Sequence, residues 1–191
     1  QGIADIYGQT LSEATDYFWV VEISDRYPQV EFISSGIFLP SSNHKKIAFR
    51  TMNVHRLRLQ IKRVTEANLI AFFEDNSYRP QNYSGDDYNR YGFQRFGEII
   101  LDEIIEIGSE TNKWIQTELN LDQVLGEANA LSIVQLEADE NQILYFPPGH
   151  DYWDVSWYVR QLGTAIKHIL VSDIGITAKE LPEEIYVFVT N

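Results

Sequence analysis

The sequence predicts a mainly all-β protein, an Ig-like β-sandwich carrying one or two short helices. Three observations lead there. About ten short segments carry strand signals and few carry helical ones, the pattern of a sandwich. The clearest, Arg56 to Ile61, alternates Leu57, Leu59 and Ile61 with Arg56, Arg58 and Gln60. That period of two describes a strand with one buried and one wet face. Finally, 191 residues with 44% apolar and 13% aromatic side chains are too rich for disorder. A chain of this length buries roughly 70% of its unfolded surface and can hold a core without staples.

The elements follow in order. Asp5-Ile6-Tyr7-Gly8-Gln9 reads as a strand end entering a turn, and Tyr17 to Ile23 as a strand. Tyr27-Pro28 marks a break, because proline disfavours helix at the residue before it. Val30 to Ile33 is a short strand, and Gly36 to Asn43 is rich in turn residues. After the Arg56 strand, Thr65 is a plausible helix cap, and a helix of about two turns should run toward Phe73. Asp75 to Gly92 reads as a long polar loop. Glu98 to Ile107 is ambiguous: its isoleucines would line up on a helix, yet their density favours strand. Lys113 to Leu121 alternates as a strand, and Leu121 to Leu125 could form a helical turn. Leu131 to Leu136 and Trp153 to Val159 are read as strands separated by the Pro147-Pro148-Gly149 turn, and Ile166 to Val171 and Ile185 to Val189 complete the set.

Charge and composition narrow the function. The net charge is -13, so phosphate backbones are poor partners and nucleic acid is not expected. Seven of the fifteen basic residues, Lys45, Lys46, Arg50, Arg56, Arg58, Lys62 and Arg63, fall within twenty positions. From Glu66 to Glu140, sixteen acids face four bases. Two differently charged faces are the plain expectation, with an electrostatic docking surface for a neighbouring domain as the second reading. The absence of cysteine excludes disulfides, a thiolate nucleophile and cysteine-bound zinc. No apolar run approaches the ~20 residues that span a bilayer, so no membrane-spanning segment is expected. Gln1-Gly2-Ile3-Ala4-Asp5 already has folded-domain composition, as expected of a piece of a longer protein whose export signal lies elsewhere.

Two stretches carry a resemblance. Gly36-Ile37-Phe38-Leu39-Pro40, then Thr51-Met52-Asn53-Val54, a strand ending Lys62-Arg63-Val64 and Asn68-Leu69, resembles the bacterial alpha-2-macroglobulin family. There a glycine–proline loop precedes an Asn-Val strand, an arginine-ended segment and an asparagine–leucine helix. Val171-Ser172-Asp173-Ile174-Gly175-Ile176-Thr177-Ala178-Lys179 is similar to that family's junction between successive macroglobulin-like modules, and Tyr186 to Thr190 to the strand that opens the next. The resemblance covers roughly residues 28 to 191. It implies three parts: residues 1–28 ending a preceding Ig-like module, 29–172 a macroglobulin-like β-sandwich, and 173–191 opening a following module. It also implies a non-enzymatic scaffold segment of a multidomain, extracytoplasmic, protease-trapping protein (an endopeptidase inhibitor) of the periplasm or cell envelope. A lipid anchor, if there is one, would sit in a missing N-terminus. The partners implied are neighbouring modules of the same chain and, through the full-length protein, target proteases. The family's thioester needs a cysteine, which this chain lacks.

No catalytic, cofactor-binding or metal residues are assigned. Asp87, Asn89, Gly92 and Glu98 occupy four positions of a calcium-loop pattern, but Tyr91 and Arg95 stand where oxygen ligands belong, and an ordinary polar loop is the better reading. His150, Asp151 and Asp154 could hold a metal, yet turns collect such residues for solubility. His44, His55 and His168 have no partners at ligand spacing, and His168 is expected to be a packed or edge histidine. Adjacent acids such as Asp86 with Asp87, Asp102 with Glu103 and Glu183 with Glu184 are no evidence for a hydrolytic pair, because neighbours on a strand point to opposite faces. Aromatics cluster near the loops: Tyr78, Tyr83, Tyr88, Tyr91, Tyr145, Tyr152, Trp153, Trp157 and Tyr158. Core or inter-domain packing is the expectation for them. The alternative is a carbohydrate- or peptide-binding β-sandwich module that uses these aromatics as a platform.

Overall fold

The computed structural model describes residues 6–8, 25–34, 38–39, 44–75, 83–84, 95–108, 110–126, 130–180 and 184–190. Two sheets face each other. The smaller runs β1 (Gln29–Phe32), β3 (Lys46–Met52), β7 (Trp114–Asn120), all antiparallel. The larger runs β2 (Phe38–Leu39), β9 (Thr164–Val171), β8 (Ala130–Glu137), β4 (Arg56–Arg63), β6 (Glu98–Glu106), and the short β5 (Tyr83–Ser84) also pairs with β9. β2 lies parallel to β9; the other pairings of this sheet are antiparallel. A third, two-stranded sheet joins β10 (Gly175–Glu180) to β11 (Ile185–Thr190).

The alternation in β4 does what its spacing demands. Leu57, Leu59 and Ile61 are buried, while Arg58 is exposed. Their buried face meets Val30, Phe32, Ile47 and Phe49 from the smaller sheet and Val134, Leu136, Ala165, Ile169 and Val171 from β8 and β9. β8 is apolar on both faces because both are covered. Val134 and Leu136 point into the sandwich, whereas Leu131 and Ile133 pack outward against Phe72 of α1 (Glu66–Asp75). Thr65 sits immediately before this helix, and the backbone N–H of Asn68 donates to its carbonyl at 2.9 Å. A one-turn helix, α2 (Asp122–Leu125), follows β7 and buries Leu125. Glu98 to Ile107 resolves as the strand β6, with a register shift opposite Ile61 and Lys62.

Three expectations change. Trp153 to Val159 is not a strand but part of α3 (Tyr152–Leu162). Asp151 caps it, its carboxylate accepting from the Asp154 N–H at 2.9 Å, and Val155, Tyr158, Val159 and Leu162 fall at helical spacing toward the protein. The helix ends at Gly163, where a Cβ would sit 2.4 Å from the Val159 carbonyl oxygen. α3 thus joins α1 and α2, and the chain is mostly strand with few short helices. Second, Lys46–Met52 is a full strand, and Asn53-Val54 is the corner after it rather than a strand. Third, the basic and acidic stretches do not segregate onto separate faces. Strands β3 and β4 pair with β7 and β6, so the charges meet across strands: Lys46 with Glu118 at 2.6 Å, and Arg58 with Asp102 at 2.6 Å. The expected strand at 17–23 and most of 36–43 and 75–92 lie outside the described residues.

Candidate functional site

The end of the sandwich where the chain crosses between sheets holds a buried polar corner. β3 belongs to one sheet and β4 to the other, and Asn53 turns the chain between them with φ at 53°. Only glycine and, less readily, asparagine or aspartate adopt that left-handed backbone routinely. Asn53 is 1% exposed, so its amide must find partners. Its Nδ2 donates to the Arg26 carbonyl at 2.5 Å and to Asn112 Oδ1 at 3.0 Å, and its Oδ1 accepts from the Asn112 N–H at 2.6 Å. Its carbonyl accepts from the Leu144 N–H at 2.7 Å. Asn112, also left-handed, donates through Nδ2 to Asp25 at 2.8 Å, and Asp25 accepts from the Tyr145 hydroxyl at 2.5 Å. Two amide side chains tie three distant segments, and the Asn53 carbonyl and Asp25 carboxylate bring in the fourth.

Beside this corner an aromatic cluster seats α3. Tyr27 stacks on Tyr158 with ring centroids 4.1 Å apart, and Phe146 and His150 meet Tyr27 edge-on at 5.4 and 5.5 Å. The Tyr27 hydroxyl and His150 Nε2 are 3.0 Å apart, and His150 Nδ1 lies 3.4 Å from Asp154. The hydrogen bond with Tyr158, then burial, raises the Tyr27 hydroxyl above its ordinary pKa. Both ring nitrogens of His150 are therefore engaged with protein groups, and Asp151 is committed to capping the helix.

The opposite side of α3 is open. Trp153 is 78% exposed, Trp157 57% and Tyr152 65%. Residues four apart share a helix face, so the two indoles lie on one stripe, flanked by exposed Asp154 and Arg160. Of the expected core or inter-domain packing, this corrects the core half for Trp153 and Trp157: within this chain the face that buries is the one carrying Tyr158 and Val159. An open groove of about 270 Å³ adjoins the helix, lined by Glu137, Asp139, Glu140, Asn141, Tyr152 and Arg160 among others. Hydrogen bonding to Glu140 raises the Tyr152 hydroxyl above its usual value.

The other candidates scatter. Asp87, Asn89, Tyr91 and Gly92 lie outside the described residues, as do Tyr78, Tyr88, Asp86 and Glu183. Glu98 opens β6 at the surface. His44 is exposed, with φ at 92°. His55 is half-buried in the chain entering β4, and its Nδ1 has no hydrogen-bond partner. His168 lies on the outer face of β9, edge-on to Phe72 at 5.1 Å, where burial pushes its pKa down to about 4. Among the described residues, no three His, Asp or Glu side chains converge as metal ligands. No described helix is long and apolar enough to cross a membrane.

The bacterial alpha-2 macroglobulin MG2 domain matches residues 31–130, more than half of the chain. The chain belongs to the bacterial alpha-2-macroglobulin family. Solved structures of Escherichia coli alpha-2-macroglobulin share its fold. One, of native alpha-2-macroglobulin spanning domains NIE–MG1, has a TM-score of 0.58 at 16% identity, over 85% of this chain and 69% of that one. Another, spanning MG0–NIE–MG1, gives 0.56 at 18%, over 98% and 52%. A cryo-EM reconstruction of the native conformation gives 0.54 at 17%, over 98% of this chain and 10% of that one. At such identities the likeness is one of fold. No curated protein sequence matches the chain. The family match runs from β1 to the start of β8 and so includes the Asn53 corner; the Asn-Val pair read from the sequence is its turning point. Helix α3 and the β10–β11 hairpin lie beyond it.

Proposed function

We propose that this chain is a non-enzymatic scaffold module of an alpha-2-macroglobulin-like, protease-trapping protein that works outside the cytoplasm. The family match over residues 31–130 carries this reading. In it, the polar residues of the sandwich hold strands in register, and trapping belongs to the whole protein. We further propose a module boundary at Asp173 to Gly175, with residues 29–172 as one unit and 173–191 opening the next. Two features support it. The β10–β11 hairpin shares no ladder with the two larger sheets among the described strands. It also leaves Ile185, Val187, Phe188 and Val189 exposed, and a lone hairpin is marginal in water.

The isolated chain tests the functional half. Incubated with trypsin at equimolar ratio, it should neither hydrolyse protein substrates itself nor slow the enzyme, whereas the full-length protein should shield trypsin from large substrates. Tight equimolar inhibition or hydrolysis by this chain alone would overturn the scaffold reading.

A further inference from the structure

The exposed indoles of α3 have a counterpart elsewhere in this protein. On the outer face of the smaller sheet, the Arg50 guanidinium lies over the Trp114 ring, 4.3 Å from its centroid, and pairs with the Glu31 carboxylate. Indole, guanidinium and carboxylate complete one another there: the ring face attracts the cation, and the carboxylate completes its hydrogen bonds. Helix α3 presents two of these three components. Trp153 and Trp157 stand in solvent, with Asp151 and Asp154 at one end of the helix and Glu137, Asp139 and Glu140 along the adjoining groove. Among the described residues no cation lies over either indole. Arg160, on the same face, contacts Ser156 Oγ at 3.4 Å.

From this we propose that the outer face of α3 docks a cationic peptide segment, whose arginine or lysine side chain lies over Trp153 or Trp157 and reaches the carboxylates of the adjoining groove. The inference does not depend on the scaffold reading, because it uses only surface chemistry. Two exposed tryptophans on one stripe are an unusual solvent-facing patch for a soluble domain. The surrounding charge selects the occupant: five carboxylates against Arg160 and Arg58, which borders Glu137 and Asp139, still repel an acidic partner and leave a neutral one without its charge-assisted bonds. Arginine fits best, since its planar guanidinium can stack on an indole while its edge bonds a carboxylate. The partner is then a loop or strand carrying arginine beside apolar residues.

The experiment is a titration of the full 191-residue chain followed by the indole N–H signals of Trp153 and Trp157, assigned through Trp153→Phe and Trp157→Phe. The probe is the blocked peptide Ala-Leu-Arg-Leu-Arg-Ala, and its control replaces both arginines with glutamate. The proposal expects a saturable shift of both signals with the arginine peptide and none with the control. It expects weaker binding as salt rises, and a loss of roughly two- to fivefold in affinity for Trp157→Ala, the range of an exposed cation–aromatic contact. Glu140→Gln should weaken binding while the thermal melt stays cooperative. A shift produced equally by the glutamate peptide, or by chito-oligosaccharides in place of the arginine peptide, would overturn it. So would signals that respond to protein concentration alone, which would indicate a second copy on this face, or signals that respond to nothing.

Discussion

Arg58 grips Asp102 across the β4–β6 ladder through two hydrogen bonds, 2.7 Å from Nε and 2.6 Å from Nη2, while Gln60 donates to the same carboxylate at 2.9 Å. Those donors hold the Asp102 pKa down at about 2. The unfolded value is about 3.9. A carboxylate depressed by folding stabilises the fold above its unfolded pKa, and the gain disappears as pH falls through the folded one. Stability should therefore drop between about pH 4 and pH 2, and Asp102→Asn should flatten that part of the curve in denaturant melts.

The same strand separates its two faces energetically. Leu59 is buried in the sandwich core, so Leu59→Ala should cost about 2–5 kcal/mol. Arg58→Ala removes an exposed pair and should cost at most about 1 kcal/mol. Finding Arg58→Ala the more damaging would reverse the face assignment.

At the sheet-crossing corner, Asn53→Ala should cost about 2–4 kcal/mol, combining lost buried hydrogen bonds with a left-handed backbone that alanine resists. Asn53→Gly loses the same bonds but accepts the backbone, and should recover about 1 kcal/mol of that. Equal losses in the two variants would mean that the backbone at residue 53 is not a source of strain.

The two faces of α3 should also part. Tyr158 stacks on Tyr27, so Tyr158→Ala should cost about 2–4 kcal/mol. Trp157→Ala, on the open face, should stay within about 0.5 kcal/mol of wild type. A large loss at Trp157 would place that indole in the core.

Truncation after Ser172 probes the proposed boundary. If the hairpin belongs to another module, the shortened chain should melt cooperatively within a few degrees of the parent, with β2 and β9 still paired. Loss of the cooperative transition would make residues 173–191 part of the sandwich.

How much was legible depended on whether the deciding signal was local. β4 and β7 declare themselves by strict alternation, and α1 by its placement after Thr65. β3 carries the same alternation, with Ile47, Phe49 and Thr51 inward, but Lys46 and Arg50 give it the look of a charged stretch. For α3 the aromatic and β-branched run from Trp153 to Val159 suggested a strand. Asp151 as cap and the helical spacing of Val155, Tyr158, Val159 and Leu162 outweigh that propensity. The corner was the least readable, because Asp25, Asn53 and Asn112 come together only once both sheets are formed. Its left-handed asparagines are a recognisable turn signal, but their partnership is not.

The position of β4 between β6 and β8 has a consequence during synthesis. Both neighbours are encoded later: β6 starts at Glu98 and β8 at Ala130, while β4 ends at Arg63. At cellular translation rates, both edges stay unpaired for roughly 2–7 s until β6 appears, and the β8 edge for roughly 3–13 s. An apolar strand in that condition is a template for aggregation. Arg56, Arg58, Lys62 and Arg63 make nascent copies of β4 repel one another, so the positive charge that later meets Asp102 first acts as a gatekeeper. Replacing Arg58 with threonine should cost no more than about 1 kcal/mol in the equilibrium melt yet raise light scattering on refolding at micromolar concentration. Unchanged scattering would remove that early role from the basic cluster.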